Sequence, residues 1–292
     1  REGHGDLHLA NVVVLESQVT AFDCIEFDPG LRWIDVQNDA AFLAMDLLAH
    51  DRADLAFRFL DAWLGALGDY EGLAVLRYYL AYRAVVRELV ASIRGGQRAD
   101  SLAGPRYAGL ASKLLESRQP RLLITHGVSG SGKSYAASRL LERSGAIRIR
   151  SDLERKRLYG IGALARSHSA LDAELAEISL QAGWPTIVDA TFLRADLRER
   201  FRALAARLGV PFAILACDAD ERILRERIEA RLARGADPSE ADVRVLGRQL
   251  SGREPLSRDE RTSAIFVDTS RAPLDLAAIA RAWSGAGGTT AQ

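Results

Sequence analysis

Apolar residues along this chain follow two rhythms. The runs VVVL at 12–15 and VTAFDCIEF at 19–27 are β-branched and aromatic, and the polar ESQ divides them, which predicts two strands joined by a hairpin turn. After Pro29 the apolar positions recur at three- and four-residue spacing through DAAFLAMDLLAHDRADLAFRFLDAWLGAL and YEGLAVLRYYLAYRAVVRELVASI. That spacing predicts helices packed on one another as far as residue 94. GGQRADSLAG, residues 95–104, has no period, and a short helical run then reaches Arg118 before Pro120 breaks it. The seam between two domains is placed there, between residues 95 and 120. From Arg121 strands alternate with helical stretches: RLLITHG, AIRIRS, TIVDATF, VPFAILACD and AIFVDTS. Regular alternation predicts an α/β domain with a parallel sheet and helices on both faces. The expected organisation is a mostly helical segment at 1–95, a linker with a short helix at 96–119, an α/β domain at 120–284 and a disordered tail at 285–292.

Composition narrows the class. The 292 residues suffice for two domains of ordinary size, and 48% hydrophobic with 27% charged residues is the balance of a globular protein. No apolar run approaches the ~18 residues that cross a bilayer. Lys plus Arg and Asp plus Glu number 39 each, so no basic excess draws the whole chain to nucleic acid or an anionic membrane. Cys24 and Cys217 both lie in apolar strand-like runs, which predicts buried thiols in a reducing cytosol and a cytoplasmic location.

The strongest chemical signal is GVSGSGKS at 127–134, which fits G-x-x-x-x-G-K-[ST] between a predicted strand and a predicted helix. Gly127, Ser129, Gly130, Ser131 and Gly132 allow backbone N–H groups to turn inward around phosphates at the positive end of a helix. Lys133 is placed to reach the β- and γ-phosphates of ATP, and the Ser134 hydroxyl to ligate magnesium. A second acid is expected at the end of a neighbouring strand, and TIVDATF offers Asp189, with Thr191 two residues on as a substrate candidate. Asp152, just past the strand AIRIR, lies where a carboxylate accepts a proton from an attacking hydroxyl. Position alone equally allows a helix cap there. Arg155 and its basic neighbours Arg148, Arg150, Lys156 and Arg157 form either an anion contact or a solvated helix face. Arg227, Arg231 and Arg234 share one helix face before the loop-forming GADPSEAD. This predicts arginines closing over the transferring phosphate, unless Glu226 and Glu229 absorb them.

Residues 121–270, with GVSGSGKS, RSDLERKRLYG, IVDATFLRADLRERF, the arginine-rich helix and DPSEADVRVL, resemble the small P-loop kinases of the gluconate kinase, polynucleotide kinase and zeta toxin type. The resemblance implies that Asp152 is the base and that Arg198, nine residues beyond Asp189, contacts substrate or phosphate.

The opening HGDLHLAN, residues 4–11, repeats the spacing of a kinase catalytic loop. Asp6 takes the place of the base and Asn11 that of a magnesium ligand. Asp23 and Glu26 both qualify as the second metal carboxylate, and the choice stays open. His4 and His8 lack further His or Cys at ligand spacing, so zinc is set aside. HGDLHLAN, an I-[DE]-F strand and a helical tail resemble the C-terminal lobe of aminoglycoside phosphotransferase-like kinases. That lobe followed by a P-loop kinase resembles a bacterial bifunctional family, in which DCIEFDPGLRWIDVQNDAAFLAMDL is a characteristic stretch. The Gly-rich loop and nucleotide-pairing Lys of such a kinase's first lobe are absent from this sequence. The chain is therefore expected to be an N-terminally truncated copy whose first half is inactive and exposes an apolar patch. The expected function is ATP- and magnesium-dependent transfer of a phosphoryl group to a small-molecule hydroxyl, with neither nucleic acid nor membrane as partner. The alternatives are an ATP-hydrolysing regulatory module and a polynucleotide end-processing kinase.

Overall fold

The computed structural model describes residues 1–95, 107–116, 119–158, 168–234, 242–270 and 273–285. The chain divides into two compact units, Arg1–Arg118 and Gln119–Gln292.

The first unit opens with the HGDLHLAN loop and a hairpin of β1 (Val12–Leu15) and β2 (Gln18–Ala21), whose turn places Glu16 and Ser17 at positive φ. The second strand is shorter than the apolar run suggested. Asp23 adopts a left-handed φ of 58°, which ends the extended backbone, and Cys24 stands exposed rather than buried. Helices α1 (Val36–Ala49), α2 (Ala53–Leu67), α3 (Leu73–Gly95) and α4 (Tyr107–Glu116) follow. The small residues Ala40, Ala41 and Ala44 of α1 let it approach α3 closely, and Met45, Leu60, Leu64, Leu76 and Leu80 complete the core. Helix α4 belongs to this unit and not to a linker. The Tyr107 hydroxyl donates to Asp46 at 2.8 Å, and Arg77 donates to the Leu114 carbonyl.

The second unit carries β3 (Leu122–His126), α5 (Lys133–Ser144), β4 (Ile147–Arg150), α6 (Ser151–Leu158), α7 (His168–Gln181), β5 (Thr186–Asp189) and α8 (Ala195–Leu208). It continues with β6 (Phe212–Asp218), α9 (Glu221–Arg234), α10 (Val243–Gly252), α11 (Arg258–Thr262), β7 (Ala264–Asp268) and α12 (Leu276–Gly285). All five strands run parallel in the order β4-β5-β3-β6-β7. The central β3 is buried on both faces, as a strand covered by helices on each side must be. Connections leaving β3 and β6 run to opposite edges of the sheet. This opens a crevice beyond the carboxyl ends of the strands, where ligands bind such sheets.

Candidate active site

Sequence order delivers the phosphate loop into that crevice, because β3 ends at His126 and α5 begins at Lys133. The loop needs glycine where it packs against its surroundings. Gly130 sits at φ +83°, and a Cβ there would come within 2.8 Å of the Leu224 carbonyl; Gly132, at φ +77°, faces Thr269 as tightly. Lys133 and Ser134 stand in the first turn of α5, beside unpaired backbone N–H groups and the positive end of the helix dipole. Lys133 is almost fully buried, and its ammonium donates to the Val128 carbonyl at 2.8 Å. The Ser131 hydroxyl is buried with no hydrogen-bond partner, an orphan that a bound phosphate oxygen would satisfy.

Asp189 ends β5 beside this loop. The Ser134 hydroxyl donates to it at 3.2 Å, and the guanidinium of Arg148 approaches its other oxygen at 3.6 Å while donating to the Ser134 carbonyl. Burial pushes the Asp189 carboxyl above its ordinary range, against the pull of Arg148, Lys133 and Ser134. Burial likewise pushes the Lys133 ammonium down, with Asp189 opposing. Both shifts have one leading cause, desolvation of the buried charges. Ser134 and Asp189 are a hydroxyl and a carboxylate in contact, an oxygen pair that suits magnesium.

Across the parallel ladder Arg150 is the register partner of Asp189, so Asp152, two residues further, lies at the same end of the sheet. Its carboxylate takes a hydrogen bond from Arg150 at 3.1 Å and one from the Leu153 N–H. The charges of Asp152, Asp189 and Arg231 are all felt at Lys133, which puts these four groups in one electrostatic neighbourhood. Thr191 reaches the loop through its backbone, its carbonyl accepting from the Gly127 N–H at 3.1 Å.

Two sequence expectations are corrected. Arg198 does not face substrate. It is fully buried, gripping Glu260 through two bonds of 2.6 and 3.0 Å and donating to the carbonyls of Phe192, Glu254 and Pro255. Arg227 does not close over the crevice either. It donates to the Gly130 carbonyl and to both oxygens of Thr269, bracing the loop from behind. The basic stretch of β4 and α6 is partly consumed internally, Arg148 by Asp189, Arg150 by Asp152 and Arg157 by Glu154, while Arg155 is exposed. GADPSEAD falls, except for Asp242, outside the described residues, as does the tail from 286.

Three contributors escaped the sequence reading. Thr269, just past β7, donates to the Ser131 carbonyl and accepts from Arg227. Gln249 of α10 accepts from the Ser129 N–H at 2.7 Å. Asp172 of α7 accepts a hydrogen bond from Ser151 at the start of α6, and burial pushes its carboxyl up to about 6. None of these lies in a motif, and no local pattern marks them.

The first unit orders its own loop. The Asn11 amide donates to the backbone carbonyl and the carboxylate of Asp6, at 3.0 and 3.2 Å. Two buried carboxylates one heptad apart on α1 suspend the loop: Asp39 accepts from the N–H groups of His4 and Gly5, and Asp46 from that of Leu9. Arg83 adds a bond to the Gly5 carbonyl. The Phe22 N–H donates to the Asn11 carbonyl, which brings Asp23 next to Asn11 along the hairpin, while Glu26 lies further along an exposed segment.

The AAA domain family matches residues 122–256, which hold the whole crevice except Thr269. The second unit combines the five-stranded parallel sheet and the G-x-x-x-x-G-K-[ST] loop of a P-loop α/β fold. Uncharacterised proteins of Mycobacterium tuberculosis and Mycobacterium bovis are 32% identical over 254 residues, covering 81% of this chain and 51% of theirs. The chain thus spans about half the length of these curated relatives. Among solved structures, a sugar kinase from Janibacter is 24% identical with a TM-score of 0.44, covering 56% of this chain and 94% of its own. A gluconokinase from Sinorhizobium meliloti is 24% identical with a TM-score of 0.41, covering 59% and 93%. Among the described residues no helix is long and apolar enough to cross a membrane.

Proposed function

We propose that the second unit is an ATP-dependent phosphotransferase that moves the γ-phosphate to a hydroxyl of a small molecule. The observation that carries the reading is that Lys133 and Ser134 of the loop stand with Asp189 at its side and Asp152 at the same end of the sheet, with a buried unpartnered hydroxyl at Ser131. In this reading the loop N–H groups and Lys133 hold the phosphates in line, which is most of what phosphoryl transfer asks of a protein. Magnesium, held by Ser134 and Asp189, would neutralise charge on the phosphate oxygens. Asp152 takes the proton of the attacking hydroxyl, and Arg231 stabilises the charge on the group in transfer. Arg155, exposed on α6 beside Asp152, is the residue placed to meet an anionic acceptor.

A second reading, ATP hydrolysis without an acceptor, has one observation in its favour: both carboxylate oxygens of Asp152 are already engaged, by Arg150 and Leu153. ADP release measured against panels of sugars, aminoglycosides, nucleosides and oligonucleotides separates the two. Release that rises with one small-molecule hydroxyl class supports transfer, and release indifferent to every acceptor supports the hydrolytic module.

The first unit carries a kinase-like loop in which Asp6 and Asn11 are in contact. The bond from the Phe22 N–H to the Asn11 carbonyl, one residue before Asp23, favours Asp23 over Glu26 as the metal carboxylate. The aminoglycoside phosphotransferase-like reading of this unit rests on that loop. The G-x-x-x-x-G-K-[ST] loop lies in the second unit, and we assign turnover there.

A further inference from the structure

The phosphate loop has a visitor from far along the chain. The Ser129 N–H, one of the inward donors of GVSGSGKS, is taken by the side-chain oxygen of Gln249 at 2.7 Å. A backbone N–H can only donate, so the amide must present its oxygen to it. Gln249 is delivered by packing. Leu246, one turn earlier on the same face of α10, is fully buried against Val128, Leu224 and Ile228, and Asp242 caps the helix on the Val245 N–H. The α9–α10 pair therefore grips three successive loop residues: Val128 by packing, Ser129 through Gln249, and Gly130 through Arg227. Arg231, one turn after Arg227, adds its charge to the Lys133 environment.

The inner phosphates belong at the N-terminus of α5, where the later loop N–H groups and the helix dipole lie. Ser129 stands four residues before Lys133, on the side of the loop met by α10 and away from the N-terminus of α5.

Resting on the phosphate-loop reading above, we infer that Gln249 is the positioning residue for the γ-phosphate, and that it distinguishes ATP from ADP. A phosphate oxygen accepting from Ser129 N–H cannot share that site with the amide oxygen of Gln249. Glutamine resolves the conflict by turning its amide, since its donor and acceptor ends have the same shape. The NH₂ group then donates to the phosphate, and α10 is tied to the nucleotide instead of to the empty loop.

The test uses the full chain and compares ATP with ADP by calorimetric titration in magnesium. Gln249→Glu retains an acceptor for Ser129 but offers the γ-phosphate only negative charge. Its dissociation constant for ATP should rise at least ~10-fold, while that for ADP stays within about 2-fold. Gln249→Leu, which can neither donate nor accept, should lose part of the ATP preference without repulsion. Equal losses for both nucleotides, or none, would overturn the inference. If the unmodified chain binds neither nucleotide, the phosphate-loop reading itself fails, which is a different result. A third readout needs no variant. The Gln249 side-chain NH₂ resonances of the native chain should shift on adding a non-hydrolysable ATP analogue and not on adding ADP, and equal shifts would also overturn it.

Discussion

At the scale of single residues, the motif told more about which side chains matter than about where they point. The placement of GVSGSGKS between a strand and a helix, and of Asp189 at the end of a strand, was legible from the apolar runs around them. Arg198 and Arg227 were legible only as charges, and the fold spends both on internal carbonyls and hydroxyls. Arg198→Ala should therefore act through stability. Removing one partner of a buried, multiply bonded ion pair costs about 3 kcal/mol or more. The thermal midpoint should fall sharply while KM for ATP, measured on the folded fraction, stays unchanged. Asp152→Asn separates base from cap, because asparagine caps a helix about as well as aspartate but accepts no proton at neutral pH. Transfer to acceptor should fall by at least ~10²-fold, with nucleotide affinity retained. Unchanged transfer would make Asp152 a cap. Asp172 gives a pH signature. Its carboxyl is raised from 3.8 to about 6, so the folded state binds the proton more tightly than the unfolded state, and stability is lost as pH rises between those values. The cost is absent below about pH 4 and complete above about pH 6, on the order of 3 kcal/mol. Glu154 and Asp152 add to it and Arg155 opposes it. Thermal midpoints of wild type and Asp172→Asn should coincide near pH 4 and diverge above pH 6, the variant being the more stable. Parallel profiles would contradict this.

At the scale of elements, the parallel strands were readable because strands buried on both faces must be continuous apolar runs, and β3, β5 and β6 are. Less readable were features set by tertiary contact. The apolar run after β1 looked like one long strand, yet Asp23 turns the backbone and no partner strand continues the pairing among the described residues. The membership of α4 depends on Tyr107 meeting Asp46, 61 residues away in sequence, which no local period encodes. Helix α1 in turn organises the HGDLHLAN loop through Asp39 and Asp46. Asp46→Ala would remove the acceptor of the half-buried Leu9 N–H and leave the buried Tyr107 hydroxyl without its acceptor, the latter costing about 1–3 kcal/mol. Amide exchange across residues 4–11 and in α4 should accelerate, while exchange in β3 and β6 is unaffected.

At the scale of the whole molecule, the chain carries a G-x-x-x-x-G-K-[ST] loop between a parallel strand and a helix in one unit, and in the other a loop with the spacing of a kinase catalytic loop. The first unit exposes Val14, Val19, Phe27 and Trp33 around its hairpin, and Tyr78, Tyr82, Val85, Leu89 and Ile93 along α3. The Asn11 amide bonds Asp6 in the first unit, but in-line transfer also requires the phosphates to be held, and we assign that task to the loop of the second unit. The most direct measurement is ATP turnover by the intact chain carrying either Lys133→Met or the double change Asp6→Ala with Asn11→Ala. Lys133→Met should lower turnover at least ~10²-fold, the scale for removing one preorganised charge-stabilising donor, and the double change should leave it at the wild-type rate. Wild-type turnover in Lys133→Met, or a comparable collapse in the double variant, would contradict the assignment of catalysis to the second unit.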